Sequence, residues 1–274
     1  MAKVEAIGGF FPLDIQGNII NPTRRELIPI SWHATLLAIL QIYQAHFGGN
    51  LQSLWIRGSL ARGLARVAWS DLDVFGLIKA DTPIRWSSLP LSDEEEKKLR
   101  ELLPIGFQQV PLEMMYSTFN LSVVDQMPRI GMLLKTQSLC WWGEDLNPDL
   151  PKYRPGKAMM LHHRWLAEDW EVFQSSKELH QADYQGFIKT LIRTAFELVM
   201  ERLGKYTPDL YWCVQAFTQY YPVKALTLKK ILNLYVQPLK EKYQLTALLE
   251  EITPWMISES KRQISQSLPL PVHK

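Results

Sequence analysis

A chain of 274 residues with 47% hydrophobic and 21% charged residues is long enough for one large domain or two modest ones, each with a real core. Its ordinary composition excludes the disordered, collagen-like and coiled-coil classes. Thirty Lys and Arg against 28 Asp and Glu leave a formal net charge of +2, too small a surplus for a dedicated nucleic-acid binder, although a local basic cleft stays compatible with it. The two cysteines, Cys140 and Cys213, are too few for a disulfide scaffold or a Cys-rich zinc site and read as buried thiols of a cytoplasmic protein. The stretch from Met1 to Asp14 places a Glu, two Gly, a Pro and an Asp where a signal peptide needs an apolar run. Ala34 to Tyr43, the longest apolar helix candidate, is too short to cross a bilayer. No membrane partner is expected.

Along the chain, short apolar runs on either side of Gln16-Gly17-Asn18 predict a small hairpin. Helical periodicity runs from Pro29 to Phe47, carried by Leu36, Leu37, Leu40, Ile42 and Tyr43 and stopped by Gly48-Gly49. Leu51 to Arg57 reads as a strand, Leu60 to Val67 as a short helix and Asp71 to Ile78 as a second strand. Ser92 to Leu103 reads as a helix with a capping box of Ser92 and Glu95, acids in its first turn and Pro104 beyond its end. Gln108 to Tyr116 reads as a third strand, whose Pro111 points to a sheet edge. The Pro-rich stretch from Asn147 to Gly156 marks a boundary, dividing the chain into residues 1–150 and 151–274. Helices are then expected at 158–180, 184–203, 208–220, 224–236 and 240–266, with Gly204 closing the second and Thr207 capping the third. The expected class is α+β: a small mixed sheet with helices on one side, then a C-terminal helical bundle, with a ligand cleft between the halves.

The chemistry concentrates in Leu54 to Ile78, LWIRGSLARGLARVAWSDLDVFGLI. Asp71 and Asp73 stand at i and i+2 of an apolar strand, so both project from one face. Strands avoid Asp, and two like charges side by side are unfavourable unless something positive lies between them. A divalent cation suits that place, because Mg2+ is held by one or two protein carboxylates together with substrate phosphates. On the same reasoning the empty site holds two repelling acids, and Asp73→Asn is expected to leave the fold as stable as before or slightly more so. Gly58 lets the backbone approach a ligand, Ser59 offers a hydroxyl, and the following helix offers N–H groups to a phosphate. The plainer alternative is a turn followed by a strand with two solvent-facing acids.

The order Gly-Ser, intervening helix, Asp-hydrophobic-Asp resembles the DNA-polymerase-β-type nucleotidyltransferase superfamily. The longer run GSLARGLARVAWSDLDVFGLI is similar to its small bacterial branch, the minimal and aminoglycoside-type enzymes. The resemblance implies a nucleotidyltransferase domain in which Asp71 and Asp73 bind one or two Mg2+ ions on an NTP, ATP in the first instance, and Gly58 and Ser59 hold its phosphates. It also implies a third carboxylate on a later strand, and Glu113 in Leu112-Glu113-Met114 fits, as metal ligand or as base toward the attacking hydroxyl. Asp81 and Asp125 fit less well, because both read as loop or helix-end residues. The implied reaction moves a nucleoside monophosphate, AMP from ATP, to a hydroxyl acceptor and releases pyrophosphate. The acceptor is open among aminoglycosides, other metabolites, a protein side chain and an RNA end, the last least favoured by the near-neutral charge. Two other classes stay in view: an antitoxin or regulatory protein of this fold that binds or modifies a protein partner, and a catalytically silent nucleotide-binding module.

Other features have plainer readings beside sharper ones. Arg62 and Arg66, four apart, either touch a phosphate or are solvated. Lys189, Arg193 and Glu197 form a helical stripe that reads as a surface ion-pair row, or as cations reaching a nucleotide. His162 and His163 diverge on a helix and chelate one metal poorly. The ten Trp read as packing residues.

Overall fold

The computed structural model describes residues 5–67, 70–81, 84, 86–235, 237 and 239–265. Residues 1–4, Ala68 and Trp69 of the long motif, and the expected helix ends at 236 and 266, lie outside these. The chain forms two compact units, one of Ile20–Tyr153 and the other of Met1–Ile19 with Arg154–Lys274.

In the first unit the apolar residues of α1 (His33–Phe47) end at Gly48, whose φ of +52° turns the chain. Strand β1 (Leu51–Arg57) follows, then a single turn of helix α2 (Gly58–Ala61) and strand β2 (Leu72–Ile78). Helix α2 is shorter and earlier than the expected Leu60–Val67, because Gly63 takes φ +68° and breaks the turn against Leu27. After the two-residue strand β3 (Ser87–Ser88), helix α3 (Asp93–Leu102) carries the expected capping box: Glu95 N donates to Ser92 Oγ at 3.3 Å and Ser92 N donates to Glu95 Oε2 at 2.8 Å. Strand β4 (Leu112–Thr118), helix α4 (Pro128–Gln137) and strand β5 (Ser138–Gly143) complete the unit. The last two were not among the expected elements.

The sheet is mixed, in the order β3-β4-β2-β1-β5, with β2 and β4 parallel and the other pairs antiparallel. Pro111 precedes β4 rather than lying in it, and β3 covers that edge. The opposite edge, β5, is blunted by side chains: Asn21 and Thr23 donate to Ser138 O and Arg25 donates to Trp141 O. Period-two alternation divides the sheet residues between two cores. Leu54, Ile56, Leu72, Val74 and Met114 pack with Trp32, Leu36, Ile39 and Tyr43 around α1 and with Leu99 of α3. Trp55, Phe75 and Leu77 pack with Ile130 and Leu134 of α4. Helices therefore cover both faces, where the sequence suggested one.

The second unit is helical: α5 (His163–Ser175), α6 (Gln181–Leu203), α7 (Leu210–Tyr220), α8 (Pro222–Leu234) and α9 (Lys242–Ser265). Gly204, at φ +63°, closes α6 as expected. Thr207 does not cap α7. Asp209 takes the N-cap position, Thr207 Oγ1 donates to Gly9 O at 2.8 Å, and Asp209 Oδ2 accepts from Gly9 N at 3.0 Å. With Phe11 N donating to Tyr206 O at 2.8 Å, the N-terminal segment is stitched to the α6–α7 turn. The expected hairpin beside it is a single bridge, Leu13 to Ile19, tightened by Asp14 Oδ1 accepting from Gln16 N and Asn18 N. Among the described residues, no helix is long and apolar enough to cross a membrane. The fold is α+β, a mixed sheet with C-terminal helices.

Candidate active site

Strand alternation that buries Trp55 and Phe75 against α4 also selects what lies beyond them. Arg57, Asp73 and Glu113 share that face at neighbouring positions, Asp73 directly beside Glu113 in the parallel register and Ile56 beside Val74. There the apolar cover ends and three charged side chains meet. Arg57 Nη2 lies 2.8 Å from Asp73 Oδ1 and 3.4 Å from Glu113 Oε2. Arg57 and Asp73 are mostly covered, at 21% and 17% exposure, and Glu113 is open at 42%. The positive charge beside Asp73 and Glu113 thus comes from the chain itself. Removing the charge of Asp73 breaks an ion pair instead of relieving a repulsion, contrary to the expectation for Asp73→Asn.

Gly58 follows Arg57 with φ +74°, and a Cβ there would stand 2.3 Å from Asp73 Oδ2. Only glycine fits the backbone and the space. Ser59 is half-buried in α2, and its carbonyl accepts from Arg62 N at 3.2 Å and Leu64 N at 2.8 Å. Arg62 folds back over the turn, its Nε donating to Gly58 O at 3.3 Å. Ser70 closes the loop that follows: its Oγ accepts from Arg66 N at 2.8 Å and its N donates to Arg66 O at 3.1 Å. Asp71 is half-buried and stands one residue ahead of β2. The structure therefore brings Gly58, Asp73 and Glu113 together, with Arg62 on the same turn.

Three residues that sequence reasoning passed over join them. Trp86 stacks on Phe75 with centroids 4.6 Å apart and planes at 19°. The guanidinium carbons of Arg57 and Arg129 lie 5.4 Å and 5.7 Å from the centre of the Trp86 ring. Arg57 had a signal, being the one charged residue in the otherwise apolar or small-polar run Leu51–Arg57. Trp86 and Arg129 had none, because their partners are distant in sequence.

Among the described residues, no three His, Cys, Asp or Glu side chains are grouped to hold a metal ion. The donor set nonetheless suits a cation held partly by substrate. Asp73 and Glu113 already share one cationic group, and Mg2+ is bound by one or two carboxylates with phosphates completing its shell.

Compared by sequence, the chain matches no protein-family model and no curated protein. Among solved structures it is similar to the crystal structure of spectinomycin adenyltransferase AAD(9) from Enterococcus faecialis with ATP and spectinomycin, at 15% identity and a TM-score of 0.45, with 83% of this chain and 98% of that chain covered.

In the helical unit the expected surface stripe on α6 is not one. Glu197 is buried, 4% exposed, and receives the start of α5. Its Oε1 accepts from Leu161 N at 2.7 Å, His162 N at 2.8 Å and the His162 ring Nδ1 at 2.9 Å, and its Oε2 accepts from His163 N at 3.2 Å. Burial alone would raise its pKa, but hydrogen bonds from the two histidines and the charge of His162 outweigh burial and hold it at about 2. The adjoining histidines thus serve a carboxylate rather than a metal. Arg193 Nε reaches Pro208 O at 3.5 Å, and Lys189 is half-buried on the same helix. Cys213 is buried, whereas Cys140 is half-buried and not fully enclosed as expected. Burial, with Asp145 adding to it, pushes the Cys140 thiol up to about 12.

Proposed function

We propose that the Ile20–Tyr153 unit is a nucleotidyltransferase that moves a nucleoside monophosphate, AMP from ATP, to a hydroxyl acceptor and releases pyrophosphate. The observation that carries this reading is the seating of Asp73 against Gly58, with Glu113 beside it. A glycine turn without room for a side chain, abutting a strand carboxylate, sets backbone and acid side by side where one polyphosphate could meet both.

In this reading Gly58 and Ser59 bind the β- and γ-phosphates, with Arg62 beside them on the turn. Asp71 and Asp73, joined by Glu113 if it acts as a ligand, would hold Mg2+, which would neutralise charge on the departing pyrophosphate. The acceptor oxygen bonds to the α-phosphorus, the bond from that phosphorus to the pyrophosphate oxygen breaks, and the acceptor proton passes to the Glu113 carboxylate. Glu113 is exposed enough to return that proton to water.

Incubation with labelled ATP, Mg2+ and a metabolite pool, followed by mass spectrometry, should show an acceptor heavier by AMP. Glu113→Gln separates its two roles. As a base, its loss slows transfer by about 10²–10⁴-fold while Mg2+·ATP binding persists. As a metal ligand, its loss weakens both. Transfer and binding unchanged in Glu113→Gln would contradict both roles.

A further inference from the structure

Resting on the reading above, we propose that Arg57 is a built-in counter-cation: it holds the Asp73–Glu113 pair closed to bare metal ions, and a metal-bound nucleotide displaces it onto phosphate. The same guanidinium nitrogen faces both carboxylates, at 2.8 Å and 3.4 Å. The oxygens it engages carry the lone pairs a metal would use, so guanidinium and metal compete for them. The backbone of Arg57 is held as the last residue of β1, paired with Ser138 of β5, with the Gly58 turn immediately after it, so displacement falls to the side chain.

Trp86 gives that side chain a place to go. Its ring lies 5.4 Å from the Arg57 guanidinium carbon and is fixed from behind by Phe75. A guanidinium swinging off Asp73 can keep this aromatic contact and present its fork to phosphate oxygens. The pair therefore admits a metal that arrives with phosphate to receive Arg57, and resists the metal alone.

The test is Mn2+ binding, followed by electron paramagnetic resonance and by thermal melting, to the full chain with and without ATP. Wild type should bind Mn2+ weakly alone and tightly with ATP. Arg57→Met should bind Mn2+ alone at least tenfold more tightly than wild type, and Mn2+ alone should raise its melting temperature. Its affinity for Mn2+·ATP should fall, because the phosphate contact is gone. A purely structural arginine would lower the melting temperature and leave the affinity for Mn2+ alone unchanged, and that result overturns the proposal. If Arg57→Met does not fold, Arg57→Gln, which keeps a donor for Asp73 without the charge, is judged by the same criterion. Wild type that binds Mn2+·ATP through Asp73, with no gain in Mn2+ binding on changing Arg57, overturns the counter-cation alone. Wild type that does not bind Mn2+·ATP overturns the nucleotidyltransferase reading and this inference with it.

Discussion

At Gly58 the backbone runs at φ +74° and an added Cβ would stand 2.3 Å from Asp73 Oδ2. Gly58→Ala therefore costs about 1–2 kcal/mol for the left-handed backbone alone, and it also drives the Asp73 carboxylate out of place. Urea unfolding should report the loss of stability, and the Mg2+·ATP-dependent rise in melting temperature should vanish with it. Glu197 makes a different residue-scale prediction. Its folded pKa of about 2 lies below the ordinary 4.5, so the folded state gains stability while the carboxylate is ionised. That stability is fully present above pH 4.5 and is lost as the pH falls toward 2. Glu197→Gln should lose most of it at pH 7 and should flatten the melting profile across that acid window. A mutant that keeps the wild-type acid profile would contradict the assignment. Gly58 and Asp73 were legible because the turn and the strand lie within one short stretch. Arg57 as their partner, and Glu197 as the anchor of α5, were not, since each contact depends on which strand or helix lies alongside.

At the scale of elements, α1 is laid on the sheet through Tyr43. Its phenol donates to Met115 O at 2.8 Å, burial pushes its pKa up, and its ring lies over Gly76, where a Cβ would come within 2.5 Å of Cε1. Gly76→Ala should overpack this contact and cost about 1–3 kcal/mol in urea unfolding. An unchanged unfolding midpoint would mean that α1 moves away freely. The helices with clear periodicity or caps, α1 and α3, were readable, and so were β1 and β2. Helix α4 was missed because packing overrides propensity there: it carries Gly131, where a Cβ would meet Val124 Cγ2 at 2.8 Å and Tyr153 Oη at 2.9 Å. Strand β5 was missed because SLCWWG shows no alternation. Its Trp142 is exposed, and its outer carbonyls are satisfied by Asn21, Thr23 and Arg25 from far up the chain. The helix expected over Leu60–Val67 is cut to the single turn Gly58–Ala61 because Gly63 breaks it.

For the whole molecule, composition and the Pro-rich stretch pointed to a mixed first half and a helical second half. They could not show that residues up to Ile19 belong to the helical unit, because hydrogen bonds such as Gly9 to Asp209 join opposite ends of the sequence. The charged cluster of Arg57, Asp73 and Glu113 belongs wholly to the Ile20–Tyr153 unit, and the central claim is that this cluster binds a metal-loaded nucleoside triphosphate. The most direct measurement is a thermal-shift comparison of wild type and Asp73→Asn with Mg2+, with ATP and with both. Without ligand, Asp73→Asn should be less stable by about 1–3 kcal/mol, because Arg57 loses its charged partner. Mg2+ with ATP at about 100 times the dissociation constant should stabilise wild type by about 2.7 kcal/mol, either component alone should do much less, and Asp73→Asn should show no such gain. Equal stabilisation of the two proteins, or no stabilisation of wild type by Mg2+ with any nucleoside triphosphate, would contradict the account.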